Sequence, residues 1–143
     1  MRRFLLLSLL FCILLPLEAQ IDEHIQQIRK RFYHINGDAV QLSSDKIGAG
    51  TYFFEGDELR KVMVKEGDVL TEYYFDRDYR QDYAYFIYQI FGTGDSKQEH
   101  RFYYGDDGEL IRWLGPGLTE IFRSDERFCQ KEKSMRALSK DLL

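Results

Sequence analysis

One phrase recurs along this chain: a cluster of aromatic residues, a turn rich in acidic residues or glycine, and then leucine with basic residues. It occurs at 52–61 and 102–112, and in a looser form at 73–80. Aromatic residues favour extended backbone and the acidic or glycine pairs favour tight turns, so each copy predicts a β-hairpin. Short turns force neighbouring strands to run antiparallel. The repeat therefore predicts an antiparallel meander.

The aromatic clusters and turns divide the middle of the chain into six predicted strands. Val62 and Val64 alternate with Lys61 and Lys65, as expected of a strand with one face toward a core. The polar residues at 43–46 are predicted to be a connecting segment ahead of the sheet. The predicted strands are 51–55, 59–65, 69–76, 82–91, 98–104 and 110–114.

The predicted strand at 82–91 is apolar on both faces. Strict alternation divides its side chains into two sets. Such a strand is either covered by helices on both sides or leaves an aromatic face open for binding, and the sequence supports both alternatives. One set is Tyr83, Tyr85, Ile87 and Phe91, and the other is Ala84, Phe86, Tyr88 and Ile90.

One helix is predicted before the sheet in the sequence, and a second is predicted after it. Five apolar residues at spacings of three and four form one stripe, and the pair Asn36 and Gly37 after them is suited to ending a helix. A second helical region is predicted at 118–142, with a break near 124–125. The chain is therefore predicted to be α+β, with a single antiparallel meander sheet of about six strands and both helices packed against it. The stripe consists of Ile21, Ile25, Ile28, Phe32 and Ile35.

Residues 1–19 are predicted to be a signal peptide. They combine a basic start, an apolar run at 4–15 and the small residue Ala19 ahead of a cut before Gln20. The apolar run is shorter than the roughly 20 residues of a membrane-spanning helix. We therefore expect residues 20–143 to form one domain in the periplasm or outside the cell, with no stable membrane insertion after cleavage.

Composition narrows the range of partners and chemistry. The formal net charge is −4 and no basic run is longer than three residues, whereas nucleic-acid phosphates require clustered Lys and Arg. No nucleic-acid partner is therefore expected. Cys129 is the only cysteine after the predicted signal, so no internal disulfide can form within the mature chain, and Cys129 is predicted to be a small buried hydrophobe.

No cofactor, metal site or catalytic residue is predicted. Asp76, Asp78 and Asp82 alternate as calcium ligands do, but Arg80 and Gln81 stand where a calcium loop needs a ligand and a glycine. The three histidines lack the spacing of a zinc site. A simple turn is the expected structure of this segment.

The segment 102–114 contains an aromatic cluster, an Asp–Gly turn and the sequence Leu-Ile-Arg-Trp-Leu. With the preceding amphipathic helix and export signal, it resembles small exported bacterial proteins that carry aromatic β-hairpin repeats. The hairpin phrase is also similar to variant repeats of the MORN-like and toxin–antitoxin-associated β-meander class, although residues 77–80 replace the MORN glycine turn. The resemblance implies a non-enzymatic envelope protein and carries over no catalytic residues.

Two functions are compatible with these features. The first is a non-catalytic binding module whose aromatic and charged sheet face takes a protein, peptide or glycan, since tyrosines suit wet interfaces. The second is a small envelope hydrolase that uses scattered carboxylates and His100. The first is favoured because the apolar strands show no polar cluster. Trp113, with apolar neighbours, is predicted to lie in the core. The predicted binding residues are Tyr73, Tyr83, Tyr85, Tyr103 and Arg112.

Overall fold

The structure is a computed structural model that describes residues 2–79 and 82–143, with the backbone alone for residues 2–17. It confirms the α+β class: an open, eight-stranded antiparallel meander in sequence order, with a helix at each end of the chain. The two helices pack on opposite faces of the sheet. The elements are α1 (Arg2–Ile35), β1 (Ser43–Ile47), β2 (Gly50–Glu55), β3 (Glu58–Glu66), β4 (Val69–Tyr74), β5 (Phe86–Phe91), β6 (Gln98–Tyr104), β7 (Leu110–Leu114), β8 (Glu120–Ile121) and α2 (Glu126–Lys140).

The described sheet has two more strands than expected, and both lie at its edges. β1 pairs with β2 along its whole length, although all five of its residues are exposed. β8 consists of two residues that pair with Trp113 and Leu114. Short or polar edge strands discourage side-to-side aggregation, and for the same reason they lack the apolar alternation by which a strand is predicted.

The predicted stripe of α1 is confirmed as the surface that packs on the sheet. Ile25 and Ile28 are buried against a cluster that includes Phe86 and Tyr103. The side chain of Asn36 donates to the carbonyl of Phe32 at 2.8 Å, which satisfies one acceptor at the end of the helix. The helix is continuous from Arg2, while Met1 and the side chains of residues 2–17 lie outside the described part of the chain. Cleavage before Gln20 stays a prediction.

The second helix is shorter than predicted. The carboxylate of Asp125 accepts the backbone N–H of Arg127 at 2.9 Å and caps the first turn, so residues 118–125 precede the helix. Phe128 and Met135 are buried against the sheet, whereas Cys129 is exposed. The prediction that Cys129 is buried is wrong, because one residue along a helix turns the side chain by about 100° away from the packed face of Phe128.

The repeated phrase folds into the same irregular hairpin twice. In the β2–β3 and β6–β7 hairpins, the residue after the leucine has no partner on the opposite strand. This extra residue is Arg60 in the first hairpin and Ile111 in the second. A β-bulge of this kind bends the strand and redirects the side chains that follow it.

A further extra residue, just before β5, overturns the alternation predicted there. The N–H of Tyr85 donates to the carbonyl of Tyr74 at 3.0 Å, although Phe86 is the partner of Tyr74 in the ladder. Tyr85 and Phe86 therefore both pack toward α1, while Ala84 packs toward α2 with Tyr83. The predicted faces are wrong at Tyr85 and Ala84, because an inserted residue breaks the two-residue period.

We expect Gly108→Ala to destabilise the protein much more than Gly56→Ala. Both glycines have positive φ, +77° and +61°, so alanine costs about 1–2 kcal/mol at either position. A Cβ at Gly108 would also lie 2.9 Å from a ring carbon of Tyr83, whereas nothing lies within 4 Å at Gly56. Overpacking adds about 1–3 kcal/mol at Gly108. Urea unfolding measures both losses, and equal losses would contradict the packing of Tyr83 on this turn.

Candidate functional site

The five residues predicted to form one binding face are divided between the two faces of the sheet. Tyr73 and Tyr83 lie on the side of α2. Tyr85 and Tyr103 pack toward α1, and Arg112 pairs with carboxylates of α1 and β8. Three of the tyrosines are at most 5% exposed. The prediction of a single face is wrong. The regular register places Tyr73 on the side of Phe102, so Tyr103 and its partner Arg112 face the other side, and the bulge before β5 turns Tyr85 away from the side of Tyr83. A binding role for the individual residues stays a prediction.

Burial also determines the protonation of two of these tyrosines, Tyr73 and Tyr85, and of Tyr104, which follows Tyr103 in the chain. It raises the pKa of Tyr73 to about 12, with a smaller contribution from the carboxylate of Glu66. Burial likewise raises the pKa of Tyr85 and Tyr104 well above the usual value. All three hydroxyls therefore stay protonated at physiological pH.

A cleft lies between α2 and the neighbouring strands β3, β4 and β5. Its volume is about 370 Å³. The walls are mostly aliphatic or aromatic, the floor is polar, and α2 contributes one basic side chain. The lining residues are Val64, Glu66, Val69, Thr71, Tyr73, Gln89, Phe91, Lys131, Leu138, Asp141 and Leu142. We refer to this space as the α2 cleft.

A row of polar side chains crosses the sheet beneath α2. Thr71 pairs with Gln89, and Gln89 pairs with His100, so three adjacent strands place these side chains side by side on one face. Thr71 is 6% exposed and Gln89 is 8% exposed. The expectation that the apolar strands hold no polar cluster is wrong. Each strand contributes only one polar residue, and these residues become neighbours only through the strand register.

Gln89 is bonded at one end of its amide and not at the other. Its Nε2 donates to the hydroxyl of Thr71 at 3.0 Å, whereas Oε1 has no hydrogen-bond partner in the part of the chain that the structure describes. The opposite amide orientation leaves Nε2 unpaired instead, since a hydroxyl can donate or accept. A buried polar atom without a partner costs about 1–3 kcal/mol. A molecule in the α2 cleft could supply the missing hydrogen bond.

Lys131 brings a positive charge to the α2 cleft. Its ammonium lies 5.9 Å from the ring centre of Phe102 and forms no ion pair with a described residue within 4.0 Å. Burial lowers the pKa of Lys131. Burial also lowers the pKa of His100, and the nearby charges of Lys131 and Arg127 lower it further. The imidazole is therefore neutral at physiological pH.

His100 is held by packing and by one hydrogen bond. Its Nδ1 accepts the indole N–H of Trp113 at 3.0 Å, and its ring stacks on Phe102 at an interplanar angle of 12°. Among the described residues no carboxylate lies within ion-pair distance of His100. A general acid–base pair needs its members within hydrogen-bond reach. The geometry thus offers no support for a hydrolase built on His100 and a carboxylate.

A larger cavity, of about 460 Å³, lies on the other side of Leu142. Its walls include Tyr52, Leu59 and Phe75, which belong to the core on the side of α2. Its charged residues lie at the rim or are paired, as Glu58 is with Arg60 at 2.8 Å. Among the described residues of this lining, the buried Oε2 of Glu58 forms no hydrogen bond but is compensated by the ion pair with Arg60, whereas the buried amide of Gln89 has no such compensation.

The polar cluster beneath α1 is paired internally. The Arg60 guanidinium lies 2.9 Å from Glu55 and 3.5 Å from Asp76, and Arg31 lies 3.1 Å from the same Asp76. These ion pairs line a cavity of about 170 Å³ that also contains Tyr85. These ion pairs connect α1 to the sheet, and this structural role accounts for the arrangement of the cluster.

In the described residues, no three or more His, Cys, Asp or Glu side chains are grouped so that they could hold a metal ion. Arg80 and Gln81, on which the calcium-loop argument depended, lie outside those residues. No helix in the described ranges has both the length and the apolar character needed to cross a membrane. Comparison of the chain with protein-family models, curated proteins and solved structures finds no match.

Proposed function

We propose that this protein is a non-catalytic binding module of the periplasm or cell exterior that takes an amphipathic ligand into the α2 cleft. The observation that carries the proposal is the buried amide of Gln89, which has an unpaired polar atom on the lining of a cleft of about 370 Å³. Sites for small ligands are typically concave, mostly apolar and furnished with a few polar groups. The α2 cleft has each of these properties.

The size and lining of the α2 cleft favour a small molecule or a side chain of a peptide over a glycan. Sugars stack on well exposed aromatic rings, whereas of the two rings in this lining Tyr73 is only 5% exposed and Phe91 is half-buried. The binding role also fits the neutral, packed state of His100, which accepts a hydrogen bond from Trp113. The location outside the cytoplasm rests on the basic start and apolar run of residues 1–19.

We expect Val69→Trp to abolish ligand binding and Leu70→Trp to leave it unchanged. Val69 lines the α2 cleft, so an indole there fills the space. Leu70 is the next residue of β4 and points to the opposite face, which makes it a matched control. Amide shifts in ¹H–¹⁵N NMR spectra would be followed while a library of small amphipathic molecules is screened. Thermal melts check that both variants fold.

The results of this screen can support or contradict the α2 cleft as the binding site. Ligands that shift the signals of Thr71, Gln89 and Lys131, and that lose this effect in Val69→Trp, support the proposal. Ligands that still bind to Val69→Trp, or whose shifts map to the cavity around Phe75, contradict it.

A further inference from the structure

The charges that line the α2 cleft are separated by sign. Lys131 lies over Phe102 in β6, whereas Glu66 ends β3, three strand spacings or about 14 Å away. Asp141 follows Lys131 by ten residues, or about 15 Å along the helix. The end of the cleft near Lys131 is therefore positive, and the carboxylates lie toward the other end.

The charge of Lys131 is not neutralised by its neighbours. Glu132, the next residue of α2, accepts the backbone N–H of Leu110 at 2.7 Å and lies 3.9 Å from Arg123. Arg127 is paired with Asp125 at 2.6 Å. A half-buried ammonium without a counter-ion is costly, so an anion beside it would be favoured.

Gln89 can complete the recognition of such an anion. When its Oε1 accepts the hydroxyl of Thr71, its Nε2 is free to donate into the α2 cleft. One ammonium and one amide N–H then lie on the lining of a cleft whose remaining walls include Val64, Val69 and Phe91. A carboxylate on an apolar body matches this arrangement.

We propose, as an extension of the function proposed above, that the ligand is an amphipathic carboxylate whose charged end lies beside Lys131 and Gln89 and whose apolar body lies along the aliphatic walls. A carboxylate bound in this position would neutralise the charge of Lys131 and form a hydrogen bond with the amide of Gln89. An aliphatic or aromatic acid and an acidic or terminal carboxylate of a peptide share this chemistry.

Isothermal titration calorimetry with three eight-carbon probes tests the inference. Octanoate, 1-octanol and octylamine have the same chain and differ in charge. We expect octanoate to bind about tenfold or more tightly than the other two, since a charge-assisted hydrogen bond contributes that much. Lys131→Met should abolish this preference and Lys131→Arg should retain it. Lys65→Met, an exposed lysine on the opposite face of β3, is the control and should change nothing.

The outcomes separate this inference from the proposed function. If 1-octanol or octylamine binds as tightly as octanoate, and Val69→Trp abolishes that binding, the inference that the ligand is a carboxylate is overturned. The α2 cleft then remains the binding site. An unchanged preference for octanoate in Lys131→Met would also overturn it. Failure of all three probes, together with a screen that finds no ligand in the α2 cleft, would overturn the proposed function itself. Acylated or peptide carboxylates tested next would distinguish the sources of the anion.

Discussion

Trp113→Ala is expected to lower the free energy of unfolding by about 3–5 kcal/mol, as removal of a large buried aromatic typically does. Trp113 is 4% exposed and stacks on Phe102 with ring centres 5.4 Å apart. It also contacts Phe128, so it joins α2 to the sheet. The prediction made from its apolar neighbours, that Trp113 lies in the core, is confirmed by this packing.

Trp113→Phe separates packing from hydrogen bonding. Phenylalanine keeps an aromatic ring on Phe102 but loses the N–H that His100 accepts, so we expect a smaller loss of about 1–2 kcal/mol. Urea unfolding followed by circular dichroism measures both variants. A Trp113→Ala protein that melts at the parental temperature would show that α2 does not pack here.

Tyr85→Ser is expected to lower the free energy of unfolding by about 3–5 kcal/mol, whereas Tyr85→Phe should leave it unchanged or raise it by about 1 kcal/mol. The ring of Tyr85 is fully buried between the sheet and α1. Its hydroxyl is also buried, and no described group forms a hydrogen bond with it. Serine removes the packed ring, while phenylalanine removes only the unpaired oxygen.

The pair of variants at Tyr85 is informative in both directions. If Tyr85→Ser melted like the parent protein, the face under α1 would be open and the bulge before β5 would be wrongly placed. If Tyr85→Phe lost about as much stability as Tyr85→Ser, the hydroxyl would have a partner in solution, such as a water held by Arg31 and Asp76 in the adjoining cavity.

The meander and the helix α1 could be predicted because their signals are local. Aromatic clusters, acidic or glycine turns and a stripe of isoleucines each act within a few residues. β1 could not be predicted in this way, since a polar edge strand such as Ser43–Ile47 depends on its pairing with β2 and not on burial. The start of α2 depended on the single cap Asp125, which lies within the longer segment predicted as helical.

The face of each side chain was harder to predict than the strand itself. One inserted residue at Tyr85 puts Tyr85 and Ala84 on the sides opposite to those that alternation predicts, and alternation alone contains no sign of it. The same limitation applies to Arg60 and Ile111. A predicted binding set that spans four predicted strands is therefore sensitive to the register and to each bulge between its members.

The α2 cleft could not be found from the sequence for a related reason. Thr71, Gln89 and Lys131 are ordinary residues when each is considered in its own segment. The strand register brings the first two together, and the packing of α2 adds the third. The one local signal was a glutamine at an apolar-strand position that faces the core, which is uncommon without a partner.

Ligand binding in the α2 cleft is tested most directly by an isotope-filtered nuclear Overhauser experiment on the labelled protein with unlabelled octanoate. We expect contacts from the chain of octanoate to the side chains of Val64, Phe91 and Leu138 and to the side-chain amide of Gln89. Contacts to Phe54 and Phe75 in the neighbouring cavity, with none to Gln89, would contradict binding in the α2 cleft.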